Sequence, residues 1–332
     1  MTAKVDGVVE ALLRAGEPSL ALALRRDVLN EPASTLGDLR EQVRTSPRAR
    51  ALIAGVFPGN VYAKWHGAHW VLADLADLDY PAEAKELTGL RDRVADHWLS
   101  PGYYLEYEAR SQTSASGREG VPVIEGRYRR CGSQQGNALR SMVRLGLADE
   151  RADRLAERLL HWQWPDGGWN CDRNPSADNS SFMETLTPMR GLAAYAVWRR
   201  EEKAAAAARA AAEVFLSRGL FRRRLDGSPM DPSFLKLHRP LYWHYDILGG
   251  LVAMADLNLL GDQRCEAALD LLESKRLGDG GWPAEAKFYS TSKNAPSNTS
   301  VVDWGGTSTK RMNPWVTVQA LSVLVKAGRL NP

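Results

Sequence analysis

Histidines, carboxylates and a cysteine gather at a few points of this sequence where the neighbours are apolar or aromatic. His66 and His69 follow Trp65, and on a helix their spacing puts both rings on one face. Such a pair can act as a base or hold a metal; the alternative is two partly buried rings bonded to backbone. Glu184 falls inside the apolar stretch from Phe182 to Leu192. A carboxylate there needs a partner or a task, because burying it unpaired is costly. Catalysis or ligand binding is one reason for it, and a salt bridge to Arg190 is the other. Tyr242, Trp243, His244 and Asp246 open a further helical stretch. Cys131, with Gln134, Gln135 and Asn137, opens another, where a helix N-terminus can stabilise a thiolate nucleophile or ligand. As a bland alternative, Cys131 is a small buried hydrophobe. Asp303 and Trp304 lie in a Ser/Thr/Gly-rich loop able to serve as a lid, with Asn313, Trp315 and Thr317 beyond it.

If these stretches converge, His66, His69, Glu184, His244, Asp246 and Asp303 face a cavity walled by Trp65, Trp243, Trp304 and Trp315, with Tyr242, Cys131 and Gln135 as further substrate contacts. The acids and histidines suit proton transfer near neutral pH. The indoles suit an apolar or cationic substrate. No tight metal-ligand spacing is present, so no metal site and no cofactor are expected. Zinc is the metal these residue types would suit.

Helices must position these groups, because apolar residues recur at helical spacing almost throughout, as in Leu139, Met142, Val143 and Leu147. The exception is Val121–Tyr128 with Tyr103–Tyr107, which reads as a short hairpin. A repeat is also visible. Gln163-Trp-Pro-Asp-Gly-Gly-Trp169 recurs as Leu277-Gly-Asp-Gly-Gly-Trp282, with a degenerate copy at Leu225-Asp226-Gly227-Ser228. Each copy sits between helices: Arg151–Trp162 and Ser180–Trp198, Ala204–Arg218 and Tyr242–Leu260, Gln263–Lys275 and Pro314–Lys326. Earlier helices are expected over Trp65–Leu78, Ala82–Trp98 and Gly136–Leu147. A helical hairpin cannot bury its apolar face alone, so the hairpins must stack. The expectation is one all-α domain over residues 1–332, an (α/α)6 toroid of about six hairpins around a central cavity. Residues 1–60 would close the ring and residues 61–332 carry the repeats. In such a ring the inner-helix N-termini share one mouth, where their dipoles favour electron-rich ligands.

The bulk properties narrow the classes. A net charge of +3 over 332 residues implies no charged partner, and no nucleic-acid module is recognisable. Three widely spaced cysteines argue against a disulfide framework. The N-terminus lacks a signal-peptide pattern, and no apolar run is long enough to span a membrane, so a cytoplasmic protein is expected. Oligomeric state is not readable.

The Gln-x-x-Asp-Gly-Gly-Trp turn resembles the QW motif of the terpenoid cyclase and protein prenyltransferase superfamily, as in squalene-hopene cyclase-like proteins. The resemblance covers residues 60–330 and implies the toroid. It carries the family's chemistry less well. The D-x-D-D acid of class II cyclases is matched only by Asp178-Asn-Ser-Ser181, with a second partial echo at Asp77-Leu-Asp79. Leu241–Leu251 resembles the zinc-binding helix of prenyltransferases, but Trp243 stands at the ligand position. The expected function is a terpene cyclase-like enzyme of the cyclase, isomerase or lyase type, working by acid–base chemistry on a small apolar substrate, isoprenoids among the candidates. Glu184 or Asp246 would be the acid and a histidine the base. The alternatives are a non-catalytic lipid- or peptide-binding toroid and a zinc-dependent prenyltransferase-like enzyme.

Overall fold

The computed structural model describes residues 2–331. In chain order the α-helices are α1 (Thr2–Arg14), α2 (Pro18–Asp27), α3 (Gly37–Thr45), α4 (Pro47–Ala54), α5 (Ala68–Asp77), α6 (Thr88–Trp98), α7 (Gln112–Ser116), α8 (Gly132–Arg144), α9 (Glu150–Trp162), α10 (Phe182–Arg199), α11 (Glu202–Leu216), α12 (Ile247–Asp256), α13 (Glu266–Ser274) and α14 (Pro314–Lys326). The chain divides into two compact units. One joins Met1–Pro81 to Arg218–Pro332 and the other is Ala82–Ser217.

In the Ala82–Ser217 unit, α9 shows why the chain is helical. Ala152, Leu155, Ala156, Leu159 and Trp162 recur at helical spacing and are all buried, while the opposite face is charged. Asp149 caps the helix by accepting from the Arg151 amide. The closest helix pair is α8 with α10. A Cβ on Gly136 would lie 2.3 Å from the Pro188 nitrogen, and one on Gly191 would lie 2.5 Å from the Gly136 carbonyl oxygen. Proline has no N–H to satisfy there and glycine no side chain, so the two backbones can touch. Leu139 and Met142 of α8 and Met189 and Leu192 of α10 are fully buried, each worth about 1.5–3 kcal/mol. The expected hairpin is a small sheet: β2 (Val121–Ile124) pairs antiparallel with β3 (Arg127–Tyr128) and parallel with β1 (Glu106–Glu108).

In the other unit, α5 is buried at every position from Ala68 to Ala76. That suits a helix with apolar surroundings on all sides. It packs against α4, α12 packs against both α13 and α14, and α14 packs against α2. The C-terminal helix therefore rests on the N-terminal segment.

The repeated turns share one hydrogen-bond pattern. In the first, the Trp164 amide donates to the Gly168 carbonyl at 2.8 Å, the Trp169 amide to Thr185 Oγ1 at 3.1 Å, and the Trp169 indole to the Leu159 carbonyl at 3.0 Å. In the second, the Leu277 amide donates to the Gly281 carbonyl at 2.8 Å, the Trp282 amide to Thr317 Oγ1 at 2.9 Å, and the Trp282 indole to the Leu272 carbonyl at 2.7 Å. Gly167 takes φ 97° and Gly280 φ 92°, a left-handed backbone that side chains disfavour. Both tryptophans are buried, each locking the end of one helix to the start of the next.

Candidate active site

Two groups of reactive side chains form, one in each unit. The first surrounds α5. Trp65 precedes this helix, is buried, and donates its indole N–H to the Phe288 carbonyl at 2.9 Å. Its ring stacks on Tyr242 at 3.9 Å with planes 3° apart. Trp70 meets both edge-on, at 4.5 Å from Trp65 and 5.4 Å from Tyr242. Tyr242 holds φ 51°, a left-handed conformation that strains a bulky residue and persists only where surroundings enforce it.

Asp74 stands one helical turn beyond Trp70, on the same face of α5. It is 2% exposed, and its Oδ2 has no hydrogen-bond partner among the described residues. Burial, with the Asp77 charge adding to it, pushes its carboxyl well above the usual carboxylate range; Arg239 and Arg48 oppose the shift only partly. Asp77 itself is paired with Arg239 at 3.0 Å. Tyr242 lies close enough to Asp74 for that carboxyl's charge, after burial, to push its phenol upward, and Ser300 and Trp304 adjoin the same phenol. Trp304 packs edge-on to Trp315 at 5.1 Å, and the Arg48 guanidinium covers both rings. A buried carboxyl of raised proton affinity thus sits one turn from Trp70, with Tyr242 and arginine close by.

His244 lies in the turn before α12, its ring between Trp243 at 4.0 Å and Phe288 at 3.7 Å. Burial, and then the neighbouring His238, push its pKa down to about 4. The ring is therefore neutral at physiological pH, and its Nδ1 has no partner among the described residues. It borders a cleft of about 400 Å³ lined by Lys64, Trp65, Trp243, His244 and Phe288, among others. That volume is within the range that holds small molecules. Trp65 belongs to both the cleft and the Asp74 cluster.

The second group lies at the start of α8 and α10. Cys131 sits at the N-terminus of α8, and Cys171 in the loop after the first repeated turn. Glu184, in the first turn of α10, accepts from the Ser133 amide at 3.2 Å and from the Cys171 thiol at 3.5 Å. Burial pushes Glu184 above the usual carboxylate range. Hydrogen bonding to Cys131, burial and the Glu184 charge push the Cys171 thiol up strongly. Gln135, one turn along α8 from Cys131, is buried with both amide atoms unpartnered among the described residues. Buried amides are rarely left so without a ligand or water.

Several sequence expectations change. His66 and His69 do not share a helix face, because α5 begins at Ala68. His66 sets Nδ1 against the Thr299 carbonyl at 3.1 Å, and His69 packs on Tyr62 and Trp70. Asp246 is not available as an acid. Its Oδ1 caps α12 through the Gly249 amide at 2.7 Å, and its Oδ2 accepts from the His238 amide at 2.8 Å and faces His238 Nδ1 at 3.0 Å. An aspartate just before an apolar helix is a capping signal, and for the same reason that helix starts at Ile247 and not at Tyr242. Asp303 holds its loop, accepting from the Tyr289 hydroxyl at 2.7 Å and the Gly305 amide at 3.1 Å. Trp65, Tyr242, Trp243, Trp304 and Trp315 do gather in one unit with His66, His69 and His244, whereas Cys131, Gln135 and Glu184 lie in the other. Asp74 was missed. The signal that singled out Glu184, an acid in an apolar helix, also marks Trp70-Val-Leu-Ala-Asp74.

No family model matches the chain, and no curated protein matches it. Among solved structures the chain is similar to the type II terpene cyclase MstE from Scytonema. The apo form matches at 14% identity and TM-score 0.44, over 99% of this chain and 98% of that one. A variant of it in complex with the substrate geranylgeranyl dihydroxybenzoate matches at 14% identity and TM-score 0.43, over 99% and 98%. A further variant, in complex with the product merosterolic acid A, matches at 14% identity and TM-score 0.44, over 99% and 97%.

Proposed function

We propose that this chain is a terpene cyclase-like enzyme that starts its reaction by protonating an apolar, isoprenoid-type substrate, and that its hairpins form one toroid. The observation that carries this reading is Asp74: a buried carboxyl one helical turn from Trp70 and near Tyr242, whose proton affinity burial raises well above the usual carboxylate range. Protonation of an alkene needs an acid that keeps its proton at working pH, which burial supplies. The carbocation then formed needs electron-rich walls and exclusion of water, which stacked rings supply. Asp74 would donate its proton to one alkene carbon and become a carboxylate facing Arg239 and Arg48. Loss of a proton from the cyclised cation to neutral His244 would close the sequence and leave an alkene product. Solvent exchange would then restore both groups. Packing of α14 on α2 supports closure of the ring by the N-terminal segment.

The test is turnover of polyprenyl substrates by the wild-type chain and by Asp74→Asn. Removing the general acid is expected to cost about 10²–10⁴-fold in turnover. Unchanged turnover would overturn the assignment of Asp74. Tight binding of a prenyl compound that leaves unaltered from the wild-type chain would replace the enzyme reading with a lipid-holding one.

A further inference from the structure

We propose that Cys131, Cys171 and Glu184 form a binding site for a single thiophilic divalent cation, zinc by preference. The three donor atoms lie within 4.8 Å of one another, on half-buried side chains. The separation of Cys171 Sγ from Glu184 Oε1 is 3.5 Å. A tetrahedral zinc at about 2.3 Å from sulfur and about 2.0 Å from oxygen holds those atoms about 3.5 Å apart. The donor set, two sulfurs and one carboxylate, is of the kind zinc takes.

The surroundings fit a charged centre. The Ser133 amide holds the second oxygen of Glu184 at 3.2 Å and leaves the first toward the sulfurs, the kind of outer contact that orients a metal ligand. Arg130 adjoins both cysteines and Glu184. Its Nη2 donates to Gln134 at 2.8 Å and its plane covers Tyr103, while its Nε has no partner among the described residues. Two thiolates and a carboxylate carry three negative charges, which a divalent cation and Arg130 together offset. The close contact of α8 with α10 at Gly136 and Pro188 fixes the distance between Cys131 and Glu184. Three protein ligands leave a fourth position for water or substrate, as in reactive zinc sites. Binding exchanges the thiol protons for the metal and breaks no other bond.

Metal content of the full-length reduced chain tests the proposal independently of Asp74. About one equivalent of zinc is expected to stay bound through gel filtration. Cobalt(II) in its place should give the near-ultraviolet thiolate charge-transfer band and the visible bands of tetrahedral cobalt. The band should survive Cys265→Ser and vanish in Cys171→Ser and Cys131→Ser. Zinc affinity should fall more than about 100-fold in each of the latter, beyond the loss caused by outer contacts. Glu184→Gln should weaken binding less and keep the charge-transfer band. If the serine variants misfold, the wild-type cobalt spectrum decides alone. Absence of metal and of the thiolate band, metal retained with unchanged affinity in both serine variants, or isolation of a Cys131–Cys171 disulfide would each overturn the site.

Discussion

The Trp65 indole and the Tyr242 phenol ring lie parallel, 3.9 Å apart and within 3° of coplanar orientation. This stack joins the segment leading into α5 to the turn leading into α12, and its Tyr242 ring lies near Asp74. Trp65→Ala should remove the stack, the Trp70 edge contact and the bond to Phe288. Truncations of this size cost about 3–5 kcal/mol. Tyr242→Phe keeps the ring and should cost under about 1.5 kcal/mol. Chemical denaturation of both variants checks the contrast, and equal losses would show that the hydroxyl, not the stack, holds the two turns together.

Asp74 links stability to acid pH. Its folded pKa is raised, so the folded chain binds the extra proton. The resulting stabilisation is fully present below the unfolded pKa and is lost as pH rises through the folded value. Wild-type stability should therefore fall with rising pH by an amount that Asp74→Asn, which cannot ionise, does not show. Activity should fall over the same range as the acid loses its proton. Thermal melts of the two chains across pH would refute this by showing identical slopes.

His244 behaves in the opposite sense. Its folded pKa is pushed down to about 4 from an ordinary 6.5, so the unfolded chain binds the extra proton. Its contribution is present above pH 6.5 and is lost as pH falls toward about 4. His244→Gln should flatten the stability profile in that window and lower turnover by about 10²–10⁴-fold. A pH–stability curve unaltered by the substitution would remove the case for a neutral, buried imidazole.

Gly136 tests the contact of α8 with α10. An added Cβ would meet the Pro188 nitrogen at 2.3 Å, and backbone can yield only by moving the helices apart. Gly136→Ala should destabilise the chain by about 1–3 kcal/mol through overpacking. The denaturant midpoint measures this. A neutral or stabilising effect would mean that the helices separate at little cost.

The repeated turns work through their indoles. Trp282→Phe should keep most of the buried ring but lose the bond to the Leu272 carbonyl, leaving that acceptor buried without its donor. A cost of about 1–3 kcal/mol is expected. Trp169→Phe should behave alike, since its indole makes the corresponding bond, to the Leu159 carbonyl at 3.0 Å. Unlike responses of the two would break the equivalence of the repeats.

Local order was legible from residue types alone. Apolar spacing placed α9, α10, α11 and α14 within about two residues of their true limits, and the Asp-Gly-Gly-Trp copies announced two turns that share the bonds of their tryptophans. Trp65 and Tyr242, both expected to touch substrate, do stack on each other in the fold. What a side chain does at such a start depended on atoms far away in the chain. Asp246 became a cap because His238 and the Gly249 amide took its oxygens, and His66 left the face of His69 because the helix began three residues later than its pattern suggested. The Asp74 carboxyl holds its proton more tightly than usual because it is buried and Asp77 lies near, and Glu184 met two cysteines because glycine let two helices touch. Periodicity is a property of neighbours along the chain, so sequence reports it directly. Proton affinity and ligand geometry depend on burial and on charges brought in from distant segments, and only the folded chain sets those.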